Sequence, residues 1–425
     1  MRPGESLLII CHSFPPNTGI GGRRWVKFAK ELARRGHPVH VIRNEGRPGR
    51  MDSLWAKDAE TPGIIAHPLP QRYPTVLIKG QLSTFWDKLM YHFWLRVLPL
   101  ATRGNYYDHA IFWKQQLLSK AEQLITEKEI RNVIVTGAPF SLLVHATDLK
   151  SRFPHIHLVA DIRDPWTWGN SYGFQAISKE RLEHERRNEA LVAKVYDKLI
   201  APSASVVEHL REAHQGEPGR YAVIPHVIDP DETELPQQRT SDGIFRIIYA
   251  GSLYDRTETD LYFTELLKAF QRLEREHPEN FRNCRLDLYI TGHGTTEYEQ
   301  AVQDHGLQEV IHFHPPAPPK VILEQISGAD LVLAFISSDK KDIMVTKLNE
   351  IFYLRRPVLH IGEPGLVSRT IVEGKLGASL RVEELEAELP RIIVGERQLE
   401  VDQRVDHSHH LLAHITDRLV RDVLV

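Results

Sequence analysis

Two basic residues and one glutamate in the C-terminal half have the side chains needed to hold a nucleotide diphosphate. Arg256 follows a glycine turn, while Lys347 and Glu350 lie about one turn apart in a predicted helix over residues 347–354. A cation near a helix N-terminus can neutralise a phosphate beside the free N–H groups there. A carboxylate can accept two hydrogen bonds from sugar hydroxyls. The residues alone leave a plain alternative open, namely a capped surface helix carrying an ordinary lysine and glutamate.

A second polar group follows a short apolar run, residues 158–160, that is typical of a buried strand. It consists of Asp161, Arg163 and Asp164, and Trp166 follows after a proline. Polar residues at the carboxyl end of a strand lie where open α/β sheets place their chemistry. Asp161 and Asp164 can therefore orient an acceptor hydroxyl and take its proton, with Arg163 and Trp166 on the acceptor side. A structural Asp–Arg pair that anchors the next loop is the alternative.

Glycine turns after three predicted strands offer backbone N–H groups to an anion. The first, within residues 13–22, ends in Gly21 and Gly22, and we expect this stretch to be a loop that cannot be helical. In the second half, Gly251 and Gly292 end two strands. The polar loop that contains Asp342 follows a third strand and leads to Lys347. Because the parallel strands of one sheet share a carboxyl edge, Gly251, Gly292 and the loop with Asp342 are predicted to meet at a donor site. Gly21 and Gly22, in the first half, would let the backbone approach the same ligand.

Several function classes are disfavoured by what the chain contains. The first glycine turn lacks the G-x-G-x-x-G spacing of a dinucleotide site, which argues against a dehydrogenase. A clamp formed by Arg256 and Lys347 can replace a divalent metal, so we expect neither metal nor cofactor. A net charge of −3 does not suggest nucleic acid as a partner. The two cysteines, Cys11 and Cys284, are far apart in apolar runs and are predicted to be buried thiols.

Strands and helices alternate along the whole chain, which predicts an α/β protein. We expect two Rossmann-like, doubly wound parallel-sheet domains that face an interdomain cleft. The predicted boundaries are residues 1–225 for the acceptor domain, 226–244 for a proline-rich linker and 245–408 for the donor domain. The last helix, within residues 409–425, is expected to pack back on the first domain.

Residues 85–103 interleave aromatic side chains with lysine and arginine. This composition suits a helix lying on a membrane surface, and a lipid-linked acceptor would favour that interpretation. The composition also suits a core helix under a loop, which is the interpretation we favour from the sequence. No run approaches the roughly twenty apolar residues of a membrane span. We therefore expect a cytoplasmic protein, with peripheral contact on the inner face of the membrane as the alternative.

The order of four segments resembles the GT-B-fold glycosyltransferases of family 4, and bacterial members that assemble exopolysaccharide, O-antigen or capsule in particular. The segments are GIGGRRWVKFAKELARRGHPVHVI, ADIRDPWTW, IIYAGSLY and VTKLNEIFYLRRPVLHIGEPG. The resemblance extends over essentially the whole chain. It implies transfer of a sugar from a nucleotide-diphosphate donor to a hydroxyl of a sugar or lipid-linked sugar, with retention of anomeric configuration and without a metal.

The resemblance also implies residue roles. Glu350 would bind the ribose, and Arg256 and Lys347 would stabilise the leaving diphosphate. Two departures from the family pattern stand out. Asp342 occupies the position of a glutamate that contacts the donor sugar, and Asp161 with its neighbours replaces a histidine at the end of the corresponding strand.

Three other functions remain open from the sequence. A nucleotide-sugar epimerase would share the fold and would require additional acids and histidines around the nucleotide. A phosphorylase would need a lysine for pyridoxal phosphate and usually a longer chain. A non-catalytic nucleotide-sugar-binding protein would bind the donor without turnover.

Overall fold

The computed structural model describes residues 1–17, 20–46, 55–79, 82–169, 173–232, 242–253, 256–291, 295–341, 346–402, 404 and 407–425. The chain divides into two compact units. Unit 1 comprises Met1–Val227 and Leu412–Val425, and unit 2 comprises Ile228–Leu411.

Unit 1 is built on a parallel sheet whose strands are β1 (Leu7–Ile10), β2 (Val39–Asn44), β3 (Ile64–Leu69), β4 (Asn132–Gly137), β5 (His157–Ile162), β6 (Lys198–Ala201) and β7 (Tyr221–Val223). The helices that precede or follow these strands are α1 (Ile20–Arg34), α2 (Ala56–Ala59), α3 (Phe85–Ala101), α4 (Lys114–Glu127), α5 (Ser141–Arg152), α6 (Lys179–Val195) and α7 (Ala204–His214). The strand order is β3-β2-β1-β4-β5-β6-β7.

Unit 2 repeats this plan with the strands β8 (Phe245–Ser252), β9 (Cys284–Thr291), β10 (Ile311–His314), β11 (Leu331–Ile336), β12 (Val358–Gly362) and β13 (Gly377–Leu380). Its helices are α8 (Arg256–Glu276), α9 (Pro278–Arg282), α10 (Thr296–Asp304), α11 (Pro319–Ser327), α12 (Thr346–Tyr353), α13 (Leu366–Glu373) and α14 (Leu385–Ile393). The strand order is β10-β9-β8-β11-β12-β13. The predicted α/β class with two doubly wound parallel sheets is confirmed.

The final helix, α15 (Leu412–Asp422), belongs to unit 1. Its apolar face joins the core cluster that also contains Trp25 and Phe28 of α1. Arg35 fixes the outer edge of this contact because its guanidinium bonds Asp417 (2.6 Å) and the carbonyl oxygen of Ala413 (2.9 Å). The apolar residues of α15 are therefore covered by the first unit.

Both sheets have a core on each face, as expected of parallel strands covered by helices. In β1, Leu8 and Ile10 pack into one cluster, and Leu7 and Ile9 pack into the other. This alternation explains why an uninterrupted apolar run such as LLII forms a strand here. The thiols of Cys11 and Cys284 are buried, as predicted.

Helix α1 begins earlier than predicted and overturns the expectation that residues up to 22 form a loop. Its first residue is Ile20, so Gly21 and Gly22 lie in its first turn. A Cβ on Gly22 would lie 2.1 Å from the carbonyl oxygen of Ser13, and a Cβ on Gly21 would lie 2.1 Å from the guanidinium of Arg163. The two glycines thus permit close packing at the start of a helix.

Helix α3 does not pack into a core, and the interpretation of residues 85–103 as a core helix is wrong. Leu98 is its one buried residue among those described. The large apolar side chains left exposed on it include Phe85 (75%), Trp86 (69%), Leu89 (46%), Met90 (38%), Phe93 (49%) and Leu100 (87%). The helix is nonetheless well started, because Thr84 and Asp87 form a capping box. No helix in the described part of the chain is long and apolar enough to cross a membrane.

A buried histidine in unit 2 makes stability depend on pH. His360 of β12 is fully buried and bonds Ser379 through Nδ1 (2.9 Å), and burial lowers its pKa to about 4. Its pKa in the unfolded chain is about 6.5. Below that value the unfolded chain binds the proton first, so stability falls as the pH falls.

We expect this one residue to lower the free energy of unfolding by about 2 kcal/mol between pH 7 and pH 5. Urea denaturation of wild type and His360→Gln at both pH values measures the effect. The variant should lose about that much of the pH dependence, since glutamine does not titrate. An identical pH dependence in both proteins would show that His360 makes no such contribution.

Candidate functional site

In each of the two sheets, the order in which the strands follow one another reverses at one point. In unit 1 the order reverses between β1 and β4, and in unit 2 it reverses between β8 and β11. Open α/β sheets bind ligands at the carboxyl ends of the strands beside such a point. The segments that follow these four strands are therefore the structural candidates for a site. Most of the polar residues singled out from the sequence lie in or near these segments.

Asp161 lies within β5, not after it, and is fully enclosed. Its carboxylate accepts hydrogen bonds from Nε of Arg24 (3.2 Å), Nε1 of Trp25 (2.6 Å) and Oγ1 of Thr136 (2.8 Å). A buried carboxylate requires such donors because its desolvation is costly. The donors come from α1 and β4, so this single carboxylate ties three elements together at the edge of the sheet.

Arg24 carries the opposite charge of this pair, and it also closes the end of the sheet. Its guanidinium donates to the carbonyl oxygens of Ile224 (2.7 Å) and Pro225 (3.0 Å), which follow β7. Burial lowers the pKa of Arg24, whereas Asp161 acts to raise it. Asp161 therefore has a structural partner, but this is Arg24 of α1 and not Arg163, the arginine of the pair considered from the sequence.

Arg163 lies where the N-terminus of α1 meets the segments after β4 and β5. Its Nη2 donates to the carbonyl oxygen of Ala138 (2.6 Å), and its Nε lies 3.2 Å from Oδ2 of Asp164. Its guanidinium lies against Gly21, where a larger residue has no space. The Asp164 side chain is 33% exposed, so this pair faces solvent more than Asp161 does.

Positive charge accumulates at this edge of unit 1. Burial lowers the pKa of His226 well below its usual range, and the charges of Arg24, Arg23 and Arg163 act in the same direction. Three guanidinium groups therefore lie near one neutral imidazole. Asp161 and Asp164 pair with two of these guanidinium groups and offset part of this charge.

Trp166, which was predicted on the acceptor side, is fully buried. Its ring stacks on Phe140 at 4.8 Å between centroids, and Nε1 donates to Oε2 of Glu185 (3.1 Å). One turn further along α6, Glu189 accepts from the backbone N–H of Thr167 (3.1 Å) and contacts Nε2 of His214 (3.1 Å). The Trp166 ring therefore contacts the core and not solvent, and it anchors the loop after β5.

The buried glutamates of α6 were missed in the sequence, because the charge density of this helix is typical of a solvated face. Burial raises the pKa of Glu185. Burial also acts to raise the pKa of Glu189, but hydrogen bonds from His214 and Thr167 outweigh it and lower that pKa. Spacing by four residues could have indicated one common face, but nothing in the residue types distinguishes these glutamates from their exposed neighbours.

In unit 2, direct contacts join the segments that follow β8 and β11. Glu258, in the first turn of α8, accepts from the backbone N–H of Ser338 (2.9 Å) and from its hydroxyl. Tyr262, one turn later, donates to the carbonyl oxygen of Ile336 at the end of β11 (3.0 Å). On the other side of β8, Oγ of Ser252 lies 2.7 Å from Oγ1 of Thr291, beside Gly251. The start of α8 is therefore held against the loop that leads toward α12.

The predicted donor residues are placed by these elements. Arg256 is the first residue of α8, and Lys347 is the second residue of α12. Glu350 lies one turn after Lys347 and is 2% exposed. Gly292 and Asp342 lie outside the described residues, and so do the side chains of Arg256 and Lys347. The backbone thus places a basic residue in the first turn of each of two helices, α8 and α12, beside the point where the strand order reverses. There the positive end of the helix dipole and the charge of the basic residue have the same sign.

Comparison with known proteins agrees with this geometry. The model for Glycosyltransferase Family 4 matches residues 21–232. Comparison with curated proteins gives no match.

Three solved structures illustrate the fold. Sucrose-phosphate synthase from Thermosynechococcus elongatus has a TM-score of 0.59 at 12% identity, covering 99% of this chain and 95% of that one. A putative UDP-N-acetylglucosamine 2-epimerase from Listeria monocytogenes has a TM-score of 0.60 at 12% identity, with coverages of 98% and 94%. WaaG, a glycosyltransferase involved in lipopolysaccharide biosynthesis, has a TM-score of 0.55 at 15% identity, with coverages of 98% and 95%.

The fold and the family match define a glycosyltransferase of the GT-B class. Residues 21–232, about half of the chain, match Glycosyltransferase Family 4, so the chain is a glycosyltransferase. The resemblance seen in the four sequence segments is thereby confirmed.

We expect Asp161→Ala to destabilise unit 1 by about 3–5 kcal/mol, because it leaves Arg24 as an uncompensated buried charge. The free energy of unfolding from urea denaturation measures this effect. Asp164→Ala is the matched control, since the Asp164 side chain is partly exposed and its removal should change stability by less than about 1 kcal/mol. Equal losses in the two variants would contradict the anchoring role of Asp161.

Proposed function

We propose that this protein is a retaining, metal-independent glycosyltransferase that builds cell-surface polysaccharide or glycolipid. The observation that carries the proposal is the joining of α8 to the segment after β11 in unit 2. The hydrogen bond between Glu258 and Ser338 brings the helix that begins at Arg256 to the loop that leads to Lys347. Each helix start contributes one cation and its free N–H groups to a diphosphate.

In this proposal the cations act on the leaving group. Negative charge develops on the diphosphate as the bond to the sugar breaks, and fixed positive groups stabilise that charge more than they stabilise the ground state. Arg256 and Lys347 supply these groups in place of a metal. Glu350 accepts hydrogen bonds from the ribose, and the backbone at Gly251 and Gly292 approaches the phosphates. Asp342 contacts the donor sugar.

Unit 1 supplies the acceptor side. Arg163 and Asp164 are partly exposed at the carboxyl edge of the sheet, and we assign them to the acceptor hydroxyl. Asp161 and Trp166 are enclosed, so they act by holding α1 and the loop after β5 in place. Gly21 and Gly22, which we also assign to donor binding, lie in the first turn of α1, where free N–H groups can face an anion.

We expect Lys347→Ala and Arg256→Ala each to weaken binding of a nucleotide diphosphate by roughly 1–3 kcal/mol, the value of a charge-assisted hydrogen bond. Titration calorimetry with UDP and GDP measures the change. Lys268→Ala, which removes an exposed lysine about three turns beyond Arg256 in α8, is the control. Unchanged affinity in both site variants would remove the donor-site assignment.

Transfer should continue in excess EDTA, because the protein's own cations neutralise the diphosphate. The product should keep the anomeric configuration of the donor. Both results can be read from one assay in which nucleotide sugar and acceptor are incubated with chelator and the product is examined by proton NMR. Activity that disappears in EDTA and returns with Mn²⁺ or Mg²⁺ would contradict the protein-only clamp. Epimerised nucleotide sugar without transfer would indicate an epimerase.

We further propose that residues 85–103 bind the inner face of the cell membrane. The exposed rings of Phe85, Trp86 and Phe93 are accompanied by the exposed cations Lys88 and Arg96. The carboxylate of Asp87, in the first turn of α3, accepts a hydrogen bond from Nζ of Lys79 (2.6 Å). A helix that presents apolar and basic side chains together matches a bilayer containing anionic lipid. Such contact suits an acceptor that is itself linked to lipid.

The protein should float with vesicles of phosphatidylglycerol and much less with vesicles of phosphatidylcholine, because each basic residue adds about 1 kcal/mol near an anionic surface. The triple variant Phe85→Ser, Trp86→Ser, Phe93→Ser should bind roughly tenfold more weakly or worse, since three apolar side chains proposed to enter the bilayer are lost. The control is Leu261→Ser, Val321→Ser, Val372→Ser, which removes exposed apolar residues from unit 2. Equal flotation of both variants, or self-association without flotation, would contradict membrane contact.

A further inference from the structure

The loop after β5 presents a second tryptophan that none of the roles above uses. Trp168 is 38% exposed, whereas Trp166, two residues earlier, is fully buried. The Trp168 ring lies on the imidazole of His209 in α7, with 4.1 Å between ring centroids and an angle of 33°. A large aromatic ring is thus held outward at the carboxyl edge of the sheet in unit 1.

This outward position is built into the loop. The buried carboxylates of Glu185 and Glu189 hold Trp166 and Thr167, the residues on the N-terminal side of Trp168. On its C-terminal side, a Cβ on Gly169 would lie 2.7 Å from Pro165, so the loop is folded tightly on itself. Two buried acids are costly to maintain, and here both orient one short loop. The exposed ring is consequently pre-positioned and not merely left at the surface.

The surroundings of the ring favour a neutral sugar over a nucleotide. The negative charges of Glu189 and Glu212 both act to raise the pKa of His209. Burial lowers the pKa of His209, so the imidazole is neutral at pH 7 and adds no cation. The Glu212 carboxylate would repel a phosphate, whereas Glu189 is already bonded to His214 and Thr167. A pyranose instead offers C–H groups to the negative face of the indole and hydroxyls to the imidazole and to Glu212.

We propose that Trp168 and His209 form the subsite that binds a pyranose ring of the sugar acceptor. This inference deepens the proposed function, since it places the acceptor in unit 1 while the donor binds unit 2. The ring face of the sugar stacks on Trp168. A hydroxyl of the sugar donates to an acceptor atom of His209 or of the Glu212 carboxylate.

Saturation-transfer NMR with full-length protein tests the subsite. The probes are the methyl glycosides of glucose, galactose, mannose, rhamnose and N-acetylglucosamine. At least one should bind wild type, and Trp168→Ala should weaken its binding about fivefold to tenfold, the range expected when one aromatic stacking contact is lost. Trp168→Phe should stay within about twofold. Phe112→Ala, which removes another exposed ring (40% exposed), should bind as wild type does.

His209→Ala should also weaken glycoside binding, and it keeps the test valid if Trp168→Ala does not fold by circular dichroism. Failure of every glycoside to bind wild type, or unchanged binding in Trp168→Ala and His209→Ala, would overturn the proposal. Competition by UDP for the glycoside signal would assign the ring to the nucleobase instead. Lys347→Ala should lose UDP affinity but keep glycoside binding, so failure of the donor clamp and failure of this subsite are distinguishable.

Discussion

The pairing of Asp161 with Arg24 is the interaction on which unit 1 depends. The carboxylate is fully enclosed and reaches α1 and β4, and the guanidinium continues the connection to the segment after β7. A pair of charges removed from water is stable only when both are well hydrogen-bonded, and here each finds several partners. Helix α1 is thereby held with its first turn against Arg163, which in turn aligns the exposed Asp164 at the edge of the sheet.

The fold could be predicted from the sequence because strands buried on both faces are recognisable. Runs such as Leu7–Ile10 and Leu331–Ile336 are apolar throughout, and each is followed by a turn and a helix. Their order along the chain, together with the connections permitted between parallel strands, leaves few topologies. The start of α1 was misjudged because glycines usually mark a loop, whereas Gly21 and Gly22 serve close packing within a helix.

Site residues were predictable only in part, for a related physical reason. A strand's carboxyl end can be located in a sequence, so Arg163 and Asp164 were found at the correct edge. Burial of an individual polar side chain depends on what packs over it, so the enclosure of Trp166, Glu185 and Glu189 was not foreseeable. Exposure is equally hidden, and the apolar residues of α3 have the composition of a core helix although they face solvent.

Helix α6 carries three anchoring side chains at intervals of four residues. Arg181 bonds the carbonyl oxygens of Pro99 in the last turn of α3 and of Gly104 beyond it. Glu185 bonds the backbone N–H of Asn105, and Glu189 bonds Thr167 in the loop after β5. Eight residues of helix correspond to a rise of about 12 Å. The end of α3 and the loop bearing Trp168 are therefore both attached to the same helix, α6. A displacement of either the end of α3 or this loop would therefore require α6 to move as well.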